Sequence, residues 1–214
     1  MVVVVAWAVV VWVHATTPDH HRHESVDVPA GLSALPLWGL MCVAMMVPSA
    51  WPAVRHVAIN SLRWRRQRAI AEFLAAYLAV WGAFGVVVLS GLAFAGGLSG
   101  TVVLAMAFGV AACWQILPYQ RRFQRDCHRT VPLPPRGRLA TAGCARFGVR
   151  HGRACVGVCW PLMLVMAVVM HQTALWMVVL TALVSAVKLV PRSKRLSGPI
   201  ALGLGTFAVI FLIL

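Results

Sequence analysis

Of the 214 residues, 61% are hydrophobic and only 11% are charged, with a mean hydropathy of +0.83. Soluble domains carry about 25% charged residues, so this composition argues against a water-soluble fold. The formal net charge of +14 is scattered between apolar runs instead of gathered on a polar domain, which speaks for membrane topology and against nucleic-acid binding.

A hydrocarbon core of about 30 Å takes roughly 20 helical residues. Seven segments approach that length. The first, Met1–Ala15, has the apolar core of a signal peptide but neither a basic start nor a small-x-small cleavage site, and reads as a short membrane anchor. Leu35–Val57 follows, carrying Trp38, Met41, Cys42, Met45 and Met46 ahead of Pro48 and Pro52. Met41 and Met45 share a helix face, and the two prolines are expected to bend the helix and free carbonyls. The remaining predicted spans are Phe73–Phe94, Gly100–Leu117, Cys155–Met170, Ala174–Val190 and Ser197–Leu214. Gly82-x-x-Gly85 and Ala201-x-x-x-Gly205 offer small-residue faces for close packing.

Positive charge in short loops is retained in the cytoplasm. Arg55, Arg63, Arg65, Arg66 and Arg68 lie around the second predicted loop. Nine arginines from Arg121 to Arg153 occupy the fourth, and Lys188, Arg192, Lys194 and Arg195 the sixth. With seven spans, 18 of the 19 basic residues fall on one side, and Arg22 alone falls on the other. The expected architecture is an all-α transmembrane bundle of about seven helices in one domain, residues 1–214. Its amino terminus is inside and its carboxyl terminus outside, in the cell membrane. The basic cytoplasmic loop at about 119–153 contains Pro132, Pro134, Pro135 and Gly137, so it cannot be one continuous helix. It is expected to lie on the anionic inner leaflet of the lipid bilayer and to be able to dock a protein partner.

Sulfur carries the chemistry that the sequence suggests. Cys155, Cys159, Met163, Met166 and Met170 follow one another at helical spacing, forming a ladder of thiols and thioethers along one face. Such ligands select Cu(I), with thiolates also serving Zn(II). The competing reading is plain packing, because Met and Cys fill helix interfaces everywhere. Pro161 cannot donate to the carbonyl of Gly157, one turn earlier, and is positioned to kink the helix beside the thiols. On the outer side, His14, His20, His21 and His23 with Asp19, Glu24 and His171 form a candidate Cu(II), Zn(II) or Ni(II) chelator. On the inner side, Cys127, His128, Cys144 and His151 are a weaker candidate set. The six cysteines lie mostly towards the cytoplasmic side and are expected to be reduced.

The predicted spans hold no buried Asp or Glu, which disfavours proton-coupled transport through a carboxylate. Walker, Rossmann, zincin and Ser-His-Asp patterns are also missing, so nothing calls for an enzyme.

Four runs together resemble a known family: Met41-Cys42-Val43-Ala44-Met45-Met46-Val47-Pro48, Tyr77-Leu78-Ala79-Val80-Trp81, Gln115-x-x-Pro118, and Cys155-x-Gly157-x-Cys159-Trp160-x-Leu162-Met163. The chain resembles domain-of-unknown-function family 2182, predicted metal-binding integral membrane proteins often labelled copper chaperones. The resemblance runs from about Trp38 to Pro191. It implies a metal theme and carries over Met41, Met45, Met46, Cys127, Cys155, Cys159, Trp160 and Met163. Departures are Val158 in place of a cysteine, Gln120 and Phe123 in place of a lysine and a cysteine, and Val187-Lys188 in place of a Glu-Lys pair.

The expectation is therefore a copper-handling membrane protein with candidate ligands Cys155, Cys159, Met163, Met41, Met45, Met46, Cys127, His20, His21 and His23. Its rival is a noncatalytic membrane subunit or assembly factor that anchors partners. A thiol oxidoreductase fits less well, because Cys155-x-x-x-Cys159 departs from the usual redox spacing.

Overall fold

The computed structural model describes residues 34–94, 100–134, 136–169 and 197–213, with a few isolated positions elsewhere. The described elements are helical. They are α1 (Leu35–Ser49), α2 (Trp51–Asn60), a 3-10 turn (Arg63–Arg65), α3 (Arg66–Phe94), α4 (Gly100–Ile116), α5 (Pro118–Cys127), α6 (Gly137–Val169) and α7 (Ser197–Ile213).

Proline and glycine set most of the boundaries. Pro36 sits in the first turn of α1, where a missing N–H costs nothing. Pro48 and Pro52 flank Ala50, and α1 and α2 meet there at 69°. The bend expected in the second segment is thus present and sharp. Pro118 opens α5 in the same way, turned 76° from α4. This gives a physical role to the Gln115-x-x-Pro118 run: Gln115 is buried at the end of α4 and accepts a hydrogen bond from the side-chain amide of Gln120 across the corner. Gly137, at φ 74°, starts α6 in the left-handed region that favours glycine.

The basic stretch 119–153 is mostly helix, not loop. α5 fills its beginning, and α6 runs from Gly137 through the arginines into the apolar sulfur segment without interruption. Arginine is a good helix former, and hydropathy marks where a helix turns apolar rather than where it starts. The break at Pro132–Pro134 is where the prolines demand it.

α3 and α6 are long and apolar enough to cross a membrane, and α1–α2 and α4–α5 bring the number to four if each bent pair is one span. α7 holds a shorter apolar helix, Gly198–Ile210. The predicted segments Met1–Ala15 and Ala174–Val190 lie outside the described residues, apart from isolated positions.

α6 is the central helix, packed against α3, α4 and α5, while α4 packs against α7. Close approach of α3 and α6 depends on Gly148 and Gly152. A Cβ on Gly148 would lie 2.5 Å from the Phe73 carbonyl oxygen, and one on Gly152 would lie 3.0 Å from Val80. Gly85 is a slot filled by the Trp38 indole, whereas Gly82 and Gly205 face open space.

At one end of the bundle, Ala53, Val54 and Val57 of α2 meet Phe73 of α3 and Cys144 and Phe147 of α6. A polar clamp closes this end. Buried Arg65 donates to Glu72 at 2.7 Å and to Thr141 Oγ1 at 2.8 Å, and Thr141 donates to Glu72 at 3.1 Å. Arg65 therefore ties the 3-10 turn to α3 and α6.

Candidate metal centre

The larger buried cluster joins α1, α3, α4 and α6. α1 brings Met41, Cys42, Met45 and Met46 to it, each at most 2% exposed. α6 brings Cys155, Cys159, Met163 and Met166, each at most 1% exposed. Two sulfur-bearing helix faces, more than a hundred residues apart in sequence, thus share one interior. Helical spacing explains each face separately, since neighbours four apart stand one above the other.

Tyr77 of α3 ties the faces together. Its hydroxyl lies 3.2 Å from the carbonyl oxygen of Met46 and 3.0 Å from the sulfur of Cys155. When Cys155 is a thiol, it can donate to the hydroxyl while the hydroxyl donates to Met46. When Cys155 is a thiolate, the phenolic hydrogen is available to it. A single hydroxyl can therefore serve either state of the sulfur. Cys42 is within electrostatic range of Cys155, and Tyr77 within range of both Cys155 and Cys159.

Aromatic side chains hold the surroundings rigid. The Trp38 indole donates to the Trp81 carbonyl at 3.0 Å, and Phe84 packs against both rings. On the other flank, the Trp114 indole donates to the Gly157 carbonyl at 3.0 Å, while Trp160 meets Trp114 edge-on. Phe123 covers Gly157, whose added Cβ would fall on its ring. The position where the resembled family usually carries a cysteine is thus filled here by an aromatic plug.

Cys127, in the last turn of α5, is half-buried and packs on the same cluster. All the expected sulfur ligands therefore meet or border one interior. Cys144 and His151 go elsewhere: Cys144 joins the cluster at the basic end, and His151 packs among Phe73, Tyr77 and Phe147. His128 is exposed, so the weaker inner set does not assemble. His20, His21 and His23 lie outside the described residues, as do His14, Met170 and His171.

Among the described residues no group of three or more His, Cys, Asp or Glu side chains is placed to hold a metal ion. A site built here must draw on methionine as well as cysteine. That donor set suits a soft monovalent ion and is poor for Mg(II) or Ca(II), which take oxygen ligands.

Residues 35–211 match the family model PpoB2, described as copper chaperone. The chain belongs to this copper chaperone family. Membership agrees with the resemblance drawn from the motifs and supports copper as the bound ion. It also supports a copper-handling role, for which no catalysis is needed. Neither a curated protein nor a solved structure matches the chain.

Two members of the interior are less evident from the sequence. Cys42 stands beside Met41 outside the expected ligand set, and Tyr77 stands in a family run with no role of its own. The hydroxyl inside an otherwise apolar predicted span was the available signal.

Proposed function

We propose that this protein is a multi-pass membrane copper chaperone that holds Cu(I) between α1 and α6, with Cys155 and Cys159 as thiolate ligands and Met41, Met45, Met46 and Met163 as thioether ligands. Cys42 is a further thiol at the same place, and Cys127 stands at the edge as a point of entry or exit. The observation that carries the reading is the convergence of eight buried sulfur side chains from two helices on one cluster. In lipid, thioethers gain little by leaving the hydrocarbon for a protein interior, so hydrophobicity alone does not account for this concentration.

Exchange among sulfur ligands gives such a protein a means to accept and release its cargo. Cys155, Cys159 and Met163 stand at intervals of four residues, about 6 Å of helix rise each. Cu(I) can pass between neighbouring sulfurs without ever being fully stripped of ligands. Capture by a thiol releases its proton, and the Tyr77 hydroxyl is placed to stabilise the resulting sulfur. The seven-span topology, with the amino terminus and the basic helices α5 and the start of α6 in the cytoplasm, belongs to this proposal. It puts the thiols towards the inside and the histidine-rich segment His20, His21, His23 outside, where it is proposed to collect the ion.

The test is Cu(I) binding by reduced, detergent-purified protein, read by competition with a colorimetric Cu(I) chelator. The protein should retain about one ion, and a Cys155→Ala/Cys159→Ala variant should bind at least tenfold more weakly. Equal binding by the two would sink the proposed site.

A further inference from the structure

The contact between α5 and α6 leaves an open groove of about 690 Å³ whose lining includes none of the sulfur side chains. Arg129, Arg146, Arg150 and Arg153 line it. The last three are exposed and fall at intervals of four and three residues, so they project from a single face of α6. The described carboxylates are Glu72 and Asp126. Glu72 is committed to Arg65 and Arg68, and Asp126 lies in the groove 4.0 Å from Arg129. Arg146, Arg150 and Arg153 thus have no carboxylate partner among the described residues, and like charges one turn apart repel one another. Setting topology requires only that arginines lie on one side. It does not require three of them around one concavity.

The position of the groove indicates what neutralises them. α5 turns 76° away from α4, so where α4 crosses a bilayer, α5 runs nearer the plane of its surface. Exposed Ile116, Leu117 and Tyr119 mark the corner, the kind of side chains that sit at a membrane interface. The lining is two-natured as well: the guanidinium groups share it with Phe123, Val149 and Ala154, which supply apolar surface where α6 enters its apolar half.

We propose that this groove binds an anionic phospholipid, its phosphate held by Arg146, Arg150 and Arg153 and the first carbons of its chains lying against Phe123 and Ala154. Guanidinium groups suit this task because their forked donors match phosphate oxygens. The proposal rests on the membrane reading above but not on copper.

Full-length protein in mild detergent, offered equal phosphatidylglycerol and phosphatidylcholine, tests it by native mass spectrometry. The expected result is retention of one phosphatidylglycerol in preference to phosphatidylcholine. An Arg146→Gln/Arg150→Gln/Arg153→Gln variant should lose about 100-fold in that binding. An Arg63→Gln/Arg66→Gln/Arg121→Gln variant, which removes the same charge elsewhere, should keep it. Equal loss in both variants means diffuse charge attraction and overturns the site. Inorganic phosphate binding as tightly as the lipid makes it a free-anion site and overturns the lipid. Should the triple variant fail to fold, photoreactive phosphatidylglycerol on the unaltered protein decides: labelling within 123–129 and 145–154 supports the proposal, and labelling elsewhere refutes it. Protein that stays soluble without detergent would overturn the membrane reading and this proposal together.

Discussion

The indole N–H of Trp114 donates to the carbonyl oxygen of Gly157 at 3.0 Å. That carbonyl is the one Pro161 leaves without its helical partner. A residue on α4 thus completes a rung missing from α6, between Cys155 and Cys159. In the proposed bilayer setting no water is at hand to do so, and there the repair is worth more than an ordinary surface hydrogen bond.

Trp114→Phe keeps most of the ring packing against Trp160 and Phe123 but removes the donor. It should lower stability in detergent by about 1 kcal/mol. Pro161→Ala restores the backbone donor, so in that background the same change should cost much less. Thermal unfolding of the four proteins measures the coupling. An equal cost of Trp114→Phe in both backgrounds would show that the indole acts through packing alone.

Much of this architecture was legible because it depends on local rules. Pro48 and Pro52 announced the bend at Ala50, Pro132 and Pro134 announced the break before α6, and the spacing of Cys155, Cys159 and Met163 announced their common face. What pairs with what was not legible. Gly148 and Gly152 sit among arginines, where no hydropathy window searches for packing faces, and yet they set the α3–α6 crossing. Arg65 resembles its exposed neighbours Arg63, Arg66 and Arg68 in sequence, and only the fold brings Thr141 and Glu72 to it. Tyr77, Met46 and Cys155 lie on three different helices, so no periodicity along one segment could join them.

Because Gly148 faces backbone rather than a flexible side chain, Gly148→Ala should force α3 and α6 apart. The expected cost is about 1–3 kcal/mol, the usual range for overpacking. Gly82→Ala, with open space beside it, should be neutral or slightly stabilising through helix propensity. Melting temperatures in one detergent compare the two, and a neutral Gly148→Ala would contradict the crossing described.

Loss of Glu72 should be felt mainly through Arg65. The Arg65 side chain is 6% exposed and that of Arg68 is 73% exposed, although both reach the same carboxylate. Glu72→Ala strands a buried guanidinium and should cost about 3 kcal/mol. Arg68→Ala should cost no more than about 0.5 kcal/mol. Chemical or thermal unfolding in detergent distinguishes them, and similar costs would mean that solvent screens both pairs.

Tyr77→Phe separates positioning from ligation in the sulfur interior. The ring stays against Phe73, whose centroid is 6.1 Å away, but the hydrogen bonds to Met46 and Cys155 are lost. If Tyr77 steadies the sulfur that takes the metal, affinity for Cu(I) should fall by about 10-fold to 100-fold with the stoichiometry kept. Cys155→Ala differs in kind, since it removes a proposed ligand. Chelator competition reads affinity and stoichiometry for both variants. A Tyr77→Phe variant with unaltered affinity would leave the hydroxyl a purely structural link between α1, α3 and α6.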